Sequence, residues 1–127
     1  MRTLALCVLA GVVLSACQAE KREYEMSVAE ATSKLLAARF KKGILPGSSS
    51  LEPRVLQHSA RGLEWIVADD FEGPDGWICP LSIEPAGEDG KKVQVTNKCE
   101  GPFARGNNEQ LDELVDATLT GRPVKFD

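Results

Sequence analysis

Trp77-Ile78-Cys79-Pro80-Leu81-Ser82-Ile83, then Glu84 to Lys92, then Val93-Gln94-Val95-Thr96-Asn97-Lys98-Cys99, is the stretch that decides the fold. In its first arm Trp77, Cys79, Leu81 and Ile83 alternate with Ile78, Pro80 and Ser82, the period-two pattern that places four apolar side chains on one face of a strand. Val93, Val95 and Cys99 share a face in the second arm. If Cys79 lies opposite Cys99, Ile83 falls opposite Val95 and the reversal centres on Asp89. The turn is then Glu88-Asp89-Gly90, with Gly90 at the left-handed position that a three-residue hairpin loop requires. Alternation, turn chemistry and cysteine placement agree on one antiparallel hairpin. Pro80 and Pro85 lack amide donors and imply an edge position or local bulging.

Upstream, Leu63-Glu64-Trp65-Ile66-Val67-Ala68 is rich in aromatic and β-branched residues and reads as a strand. Arg54 to Ser59 is a second, with weaker alternation, and Ser59-Ala60-Arg61-Gly62 offers the turn between them. Pro46-Gly47-Ser48-Ser49-Ser50 is a loop. Before it, Ser27-Val28-Ala29-Glu30 has the form of a capping box, with Met26 and Ala31 as a hydrophobic staple. Val28, Ala31, Leu35 and Ala38 then recur at helical spacing, widened by Leu36 and Phe40. Lys41 and Lys42 suit the end of that helix, and Gly43 its left-handed stop.

Downstream, Asn107 or Asn108 is placed to cap a helix running to about Thr120. Leu111, Leu114, Val115, Thr118 and Leu119 form its apolar face, while Asp112, Glu113 and Asp116 face outward. Gly121 and Pro123 end it, and Val124 and Phe126 give the tail apolar groups with which to dock. The order is helix, a three- to four-stranded antiparallel sheet, then helix: an α+β domain with both helices on one sheet face.

The N-terminus reads as an address. Met1-Arg2-Thr3 is a short positive start, and Leu4 to Val13 is an apolar run of signal-peptide length, too short to span a bilayer. Leu14-Ser15-Ala16-Cys17 follows, and it resembles the lipobox of bacterial lipoprotein precursors. That resemblance covers residues 1–17 alone. It implies removal of residues 1–16, a diacylglyceryl group on the Cys17 thiol and a fatty acyl chain such as palmitate on the new amine. Two or three acyl chains anchor stably where one is marginal. Gln18 in place of Asp implies the outer membrane, facing the periplasm, in a Gram-negative host. Residues 17–26 then form the lipidated cysteine and a polar, charge-alternating tether, and residues 27–127 the single domain.

Of the four cysteines, Cys7 leaves with the signal and Cys17 takes lipid, so Cys79 and Cys99 remain as an even pair. In an oxidising compartment they are expected to form a disulfide. Free or metal-bound thiols are the competing reading, but a metal site needs more ligands than these and His58 supply. No C-x-x-C redox motif occurs.

The net charge of −4 argues against a nucleic-acid partner, whose phosphates demand a basic face. The strongest enzyme-like feature is the acidic group Asp69, Asp70, Glu72 and Asp75. Its spacing does not match a calcium loop, and a solvated turn or an interaction surface is the expectation. His58 is the one histidine, so any histidine-based mechanism must pass through it, yet no nucleophile signature accompanies it. Trp65 and Trp77 are candidates to line a ligand groove, with core packing as the alternative. These residues point to a membrane-anchored envelope lipoprotein acting as a non-catalytic interaction module, with no catalytic residue, metal or cofactor beyond the lipid. A small-molecule or metal-ion binding lipoprotein, or a weak enzyme centred on His58, is the alternative.

Overall fold

The computed structural model describes residues 22–71 and 76–126. In chain order its elements are β1 (Arg22–Tyr24), α1 (Val28–Ala37), β2 (Glu52–His58), β3 (Gly62–Ala68), β4 (Gly76–Ala86), β5 (Lys92–Asn97) and α2 (Ala104–Thr120). The class is α+β, with one five-stranded antiparallel sheet in the order β1-β5-β4-β3-β2. Three to four strands were expected. The difference is β1, which occupies part of the stretch read as tether: Arg22 pairs with Val95 and Tyr24 with Val93. Its charged residues conceal it, because the edge of a sheet tolerates charge that a central strand does not.

The β4–β5 register is the one that the two cysteines imply. Ile83 stands opposite Val95 and Leu81 opposite Asn97, and Cys79 and Cys99 are disulfide-bonded with Cα atoms 4.5 Å apart. The connection is longer than the expected Glu88-Asp89-Gly90 turn. Pairing stops at Ala86 and Lys92, both Gly87 and Gly90 take positive φ, and Asp89 Oδ1 accepts the Lys91 amide at 3.1 Å. A three-residue loop occurs instead between β2 and β3, where His58 pairs with Gly62 and that glycine, the first residue of β3, takes φ 81°.

Gly76 opens β4 opposite Ala68, and a Cβ there would overlap the Val67 carbonyl. The close approach of two backbones accounts for the glycine.

One sheet face carries Val55, Trp65, Val67, Cys79, Leu81, Val93 and Val95, all buried. Both helices pack on it and on each other, contributing Ala31 and Leu35 from α1 and Leu111, Leu114, Val115 and Leu119 from α2. Ser27 caps α1 as expected, its Oγ accepting the Glu30 amide at 3.1 Å. The helix nevertheless ends at Ala37, well before Gly43. Ala38 turns extended, and Arg39 Nη1 donates to the Leu36 and Ala38 carbonyls at 3.0 and 2.8 Å, satisfying exposed helix-end acceptors. Phe40 is thereby free to lie against Trp65, ring centroids 6.1 Å apart. Gly43 is left-handed, but it serves the following loop by donating to the Leu51 carbonyl at 2.9 Å. That loop buries Leu45 in the core.

α2 begins a turn earlier than expected, at Ala104, and neither Asn107 nor Asn108 caps it. Asn108 Oδ1 instead accepts the Cys99 amide at 2.9 Å, tying the helix to the disulfide. Ala117 takes the buried place expected of Thr118, which is half-buried. Gly121 ends the helix left-handed, and Val124 and Phe126 dock on the core. Asp112, Glu113 and Asp116 do not simply face solvent. Each is half-buried because a donor meets it. Asp112 accepts from Asn97 Nδ2 at 2.8 Å, and Asn97 Oδ1 accepts the buried Trp65 indole N–H at 2.8 Å, so a polar relay joins sheet and helix within the core.

Candidate functional site

The loop after α1 and the start of α2 form the walls of a cleft. In the first wall, Leu45 is fixed in the core, Ser48 N–H donates to its carbonyl at 3.2 Å, and Gly47 takes φ 78°, so Pro46-Gly47-Ser48 stands out from the body. In the second, Gly101 at φ 96° reverses the chain after the disulfide, and its carbonyl accepts the Ala104 amide at 3.2 Å. This turn starts α2 with Phe103 at its N-cap, where the side chain makes no capping bond and is 75% exposed. Trp77, at the start of β4, is half-buried and lines the space between them.

The cleft has a volume of about 630 Å³ and lies open to solvent, bordered also by Glu100, Asn107 and Gln110. That size holds a small-molecule ligand. Asn107 and Gln110 are three apart on α2 and so share a face. Gln110 Nε2 reaches the Pro46 carbonyl at 3.4 Å, linking the walls. Among the described residues, the side chains of Ser48, Glu100 and Asn107 make no hydrogen bond or ion pair within the protein. No acidic residue occupies the first turn of α2, so its positive end is unneutralised by its own sequence. Among the described residues, Glu100 is the one ionisable group on the lining.

The expected site residues are not gathered there. Cys17, Glu72 and Asp75 lie outside the described residues. Asp69 and Asp70 follow β3 and are exposed. His58 ends β2 half-buried, and its Nδ1 accepts the Ala60 amide at 3.2 Å, a turn-closing role. Nearby, Arg61 makes a two-pronged contact to the buried Glu64 at 2.8 and 3.2 Å, which holds that carboxyl below its ordinary range against the opposing effect of burial. Among the described residues, no group of three or more His, Cys, Asp or Glu side chains is placed to hold a metal ion, and no helix is long and apolar enough to cross a membrane.

The two tryptophans separate. Trp65 is fully buried core, whereas Trp77 borders the cleft. Phe103, Asn107 and Gln110 escape a reading of the sequence. An aromatic residue inside Gly101-Pro102-Phe103 was the available signal, since a loop has no core of its own in which to bury it. Comparison with protein-family models, with curated proteins and with solved structures returns no match to this chain.

Proposed function

We propose that the chain is an exported lipoprotein, anchored in the cell envelope by lipid on Cys17, whose folded domain works as a non-catalytic binding module. The observation that carries this reading is the Cys79–Cys99 disulfide, joining β4 to the segment that follows β5. Such bonds persist in exported proteins and are rare in reducing compartments. It agrees with Leu14-Ser15-Ala16-Cys17 as a lipidation signal. In a Gram-negative host the domain faces the periplasm from the outer membrane.

A protein or envelope component is the partner class for such a module, with the turn at Asp69 and Asp70 as one contact surface. The cleft favours a second form of the same reading, in which the domain binds a small molecule. His58 Nδ1 accepts the Ala60 amide, a turn-closing contact that fits a module without a histidine-based reaction.

The test is the intact mass and fractionation of the protein made in a lipoprotein-processing host. We expect a chain starting at Cys17 with acyl additions, recovered with membranes, and a Cys17→Ser variant that is soluble or uncleaved. A processed wild-type chain with no acyl group on Cys17 overturns the anchor.

A further inference from the structure

We propose that the cleft at the N-terminal end of α2 binds a neutral oligosaccharide. The proposal deepens the small-molecule form of the reading above and does not depend on the lipid anchor. A sugar ring has apolar C–H faces and a rim of hydroxyls that both donate and accept. Trp77 and Phe103 offer aromatic surface for the first. The amides of Asn107 and Gln110 and the Ser48 hydroxyl supply the second, each bearing both a donor and an acceptor. The side chains of Ser48 and Asn107 have no competing hydrogen bond within the protein among the described residues. The cleft's volume of about 630 Å³ exceeds what one sugar ring fills, which favours a chain over a monosaccharide.

Charge selects the neutral ligand. Among the described residues lining the cleft the one ionisable group is Glu100, in a protein of net charge −4, so an anion gains no cationic side chain from them. Two aromatic residues and a carboxylate also suit a quaternary ammonium group, but that recognition needs an enclosing cage. This cleft is open and carries three uncharged hydrogen-bonding side chains.

The chain's two tryptophans provide the readout, because their indole N–H signals report two different places. The purified full protein is titrated with cellotetraose and, separately, tetra-N-acetylchitotetraose while both signals are followed by NMR. We expect at least one sugar to move the Trp77 signal and leave that of Trp65, which is buried and held by Asn97. Phe103→Ala and Asn107→Ala are each expected to weaken binding about tenfold, the loss of one stacking or paired polar contact. Ile78→Ser, which removes an exposed apolar side chain from the opposite sheet face, is expected to leave binding unchanged. If neither sugar moves the Trp77 signal, or if Phe103→Ala binds as the wild type does, the proposal is wrong. It is equally wrong if tetramethylammonium or a proline-rich peptide moves that signal and the sugars do not. Acylation is measured separately by mass, so loss of the anchor and loss of the sugar site are different results.

Discussion

The two ends of α2 are built on opposite terms. At the C-terminal end the carboxylates of α2 are met by donors, although the buried Arg22 Nε has no hydrogen-bond partner. Arg122 makes a paired contact to Glu113 at 2.7 and 2.8 Å and reaches Asp116 Oδ2 at 2.6 Å, while the Lys125 amide donates to Glu113 at 2.7 Å. Tyr24 from β1 donates to Asp116 Oδ1 at 3.1 Å, with Arg22 at 3.8 Å from the same oxygen. Burial, reinforced by the Asp116 charge, pushes the Tyr24 phenol well above its ordinary range. At the N-terminal end the side-chain cap is missing, Phe103 projects into solvent, and the side chains of Glu100 and Asn107 make no hydrogen bond within the protein among the described residues. The first end holds an edge strand and a chain tail to the body by mutual satisfaction. The second leaves hydrogen-bonding capacity and aromatic surface that the fold does not consume, and that is where a ligand can add binding energy without displacing an internal contact.

The largest expected effect lies beneath the unsatisfied end, where the disulfide and the Cys99 amide bond to Asn108 fix the start of α2 against β4. Cys79→Ser is expected to lower unfolding free energy by about 2–4 kcal/mol in oxidising buffer. In reductant, where the wild type also loses the bond, the difference should nearly vanish. Denaturant titrations in the two buffers measure this. Equal midpoints in oxidising buffer show that the cleft stands on packing alone.

At the satisfied end a smaller loss is expected. Tyr24→Phe removes one hydrogen bond to a carboxylate and keeps the buried ring, for about 1 kcal/mol. Glu113→Gln tests the same network through pH. The Arg122 hydrogen bonds, aided by the Lys125 amide and opposed by burial, hold the Glu113 carboxyl below its ordinary range. A carboxyl held low in the fold contributes stability that is fully present above its unfolded value, about 4.3, and is lost as pH falls through the folded one. Melting temperature recorded from neutral pH down to acid should therefore fall less steeply for Glu113→Gln, from a lower neutral value. Parallel curves for variant and wild type place no stability in this contact.

What the sequence reveals follows the range over which each signal acts. The β4–β5 register is legible because alternation, two cysteines and a central glycine constrain one local hairpin. The α1 cap is legible because Ser27 and the Glu30 amide are three residues apart. β1 is not, since Arg22, Glu23 and Tyr24 become a strand only through β5, some seventy residues away, and their polarity reads as tether. Asp112, Glu113 and Asp116 look solvent-facing by periodicity, while the donors that draw them inward, Asn97, Arg122 and Tyr24, lie on other elements. The cleft is the least legible part. Its walls come from Pro46-Gly47-Ser48, from Trp77 and from the segment around Phe103, and no periodicity links them. Trp77 could be marked as a candidate, but only the fold separates it from Trp65.

The smallest expected effect is the one that decides the comparison. Phe103 is the most exposed large apolar side chain among the described residues, and its position at the N-cap contributes no capping bond. Replacing it removes little buried surface, since area already in water adds nothing to folding. Phe103→Ser is therefore expected to change unfolding free energy by no more than about 0.5 kcal/mol, the range of ordinary surface substitutions. A serine hydroxyl could gain a weak cap only if the backbone left its present φ −106°, ψ 14°, which is not the extended conformation of a capping residue. Thermal melts of the variant and wild type in the same buffer read the difference directly. A loss comparable to that of Tyr24→Phe means that Phe103 is a structural residue and that the two ends of α2 are alike. An unchanged melt leaves the fold no use for an aromatic ring held in water beside the cleft, and any loss of sugar binding in the same variant then belongs to recognition and not to folding.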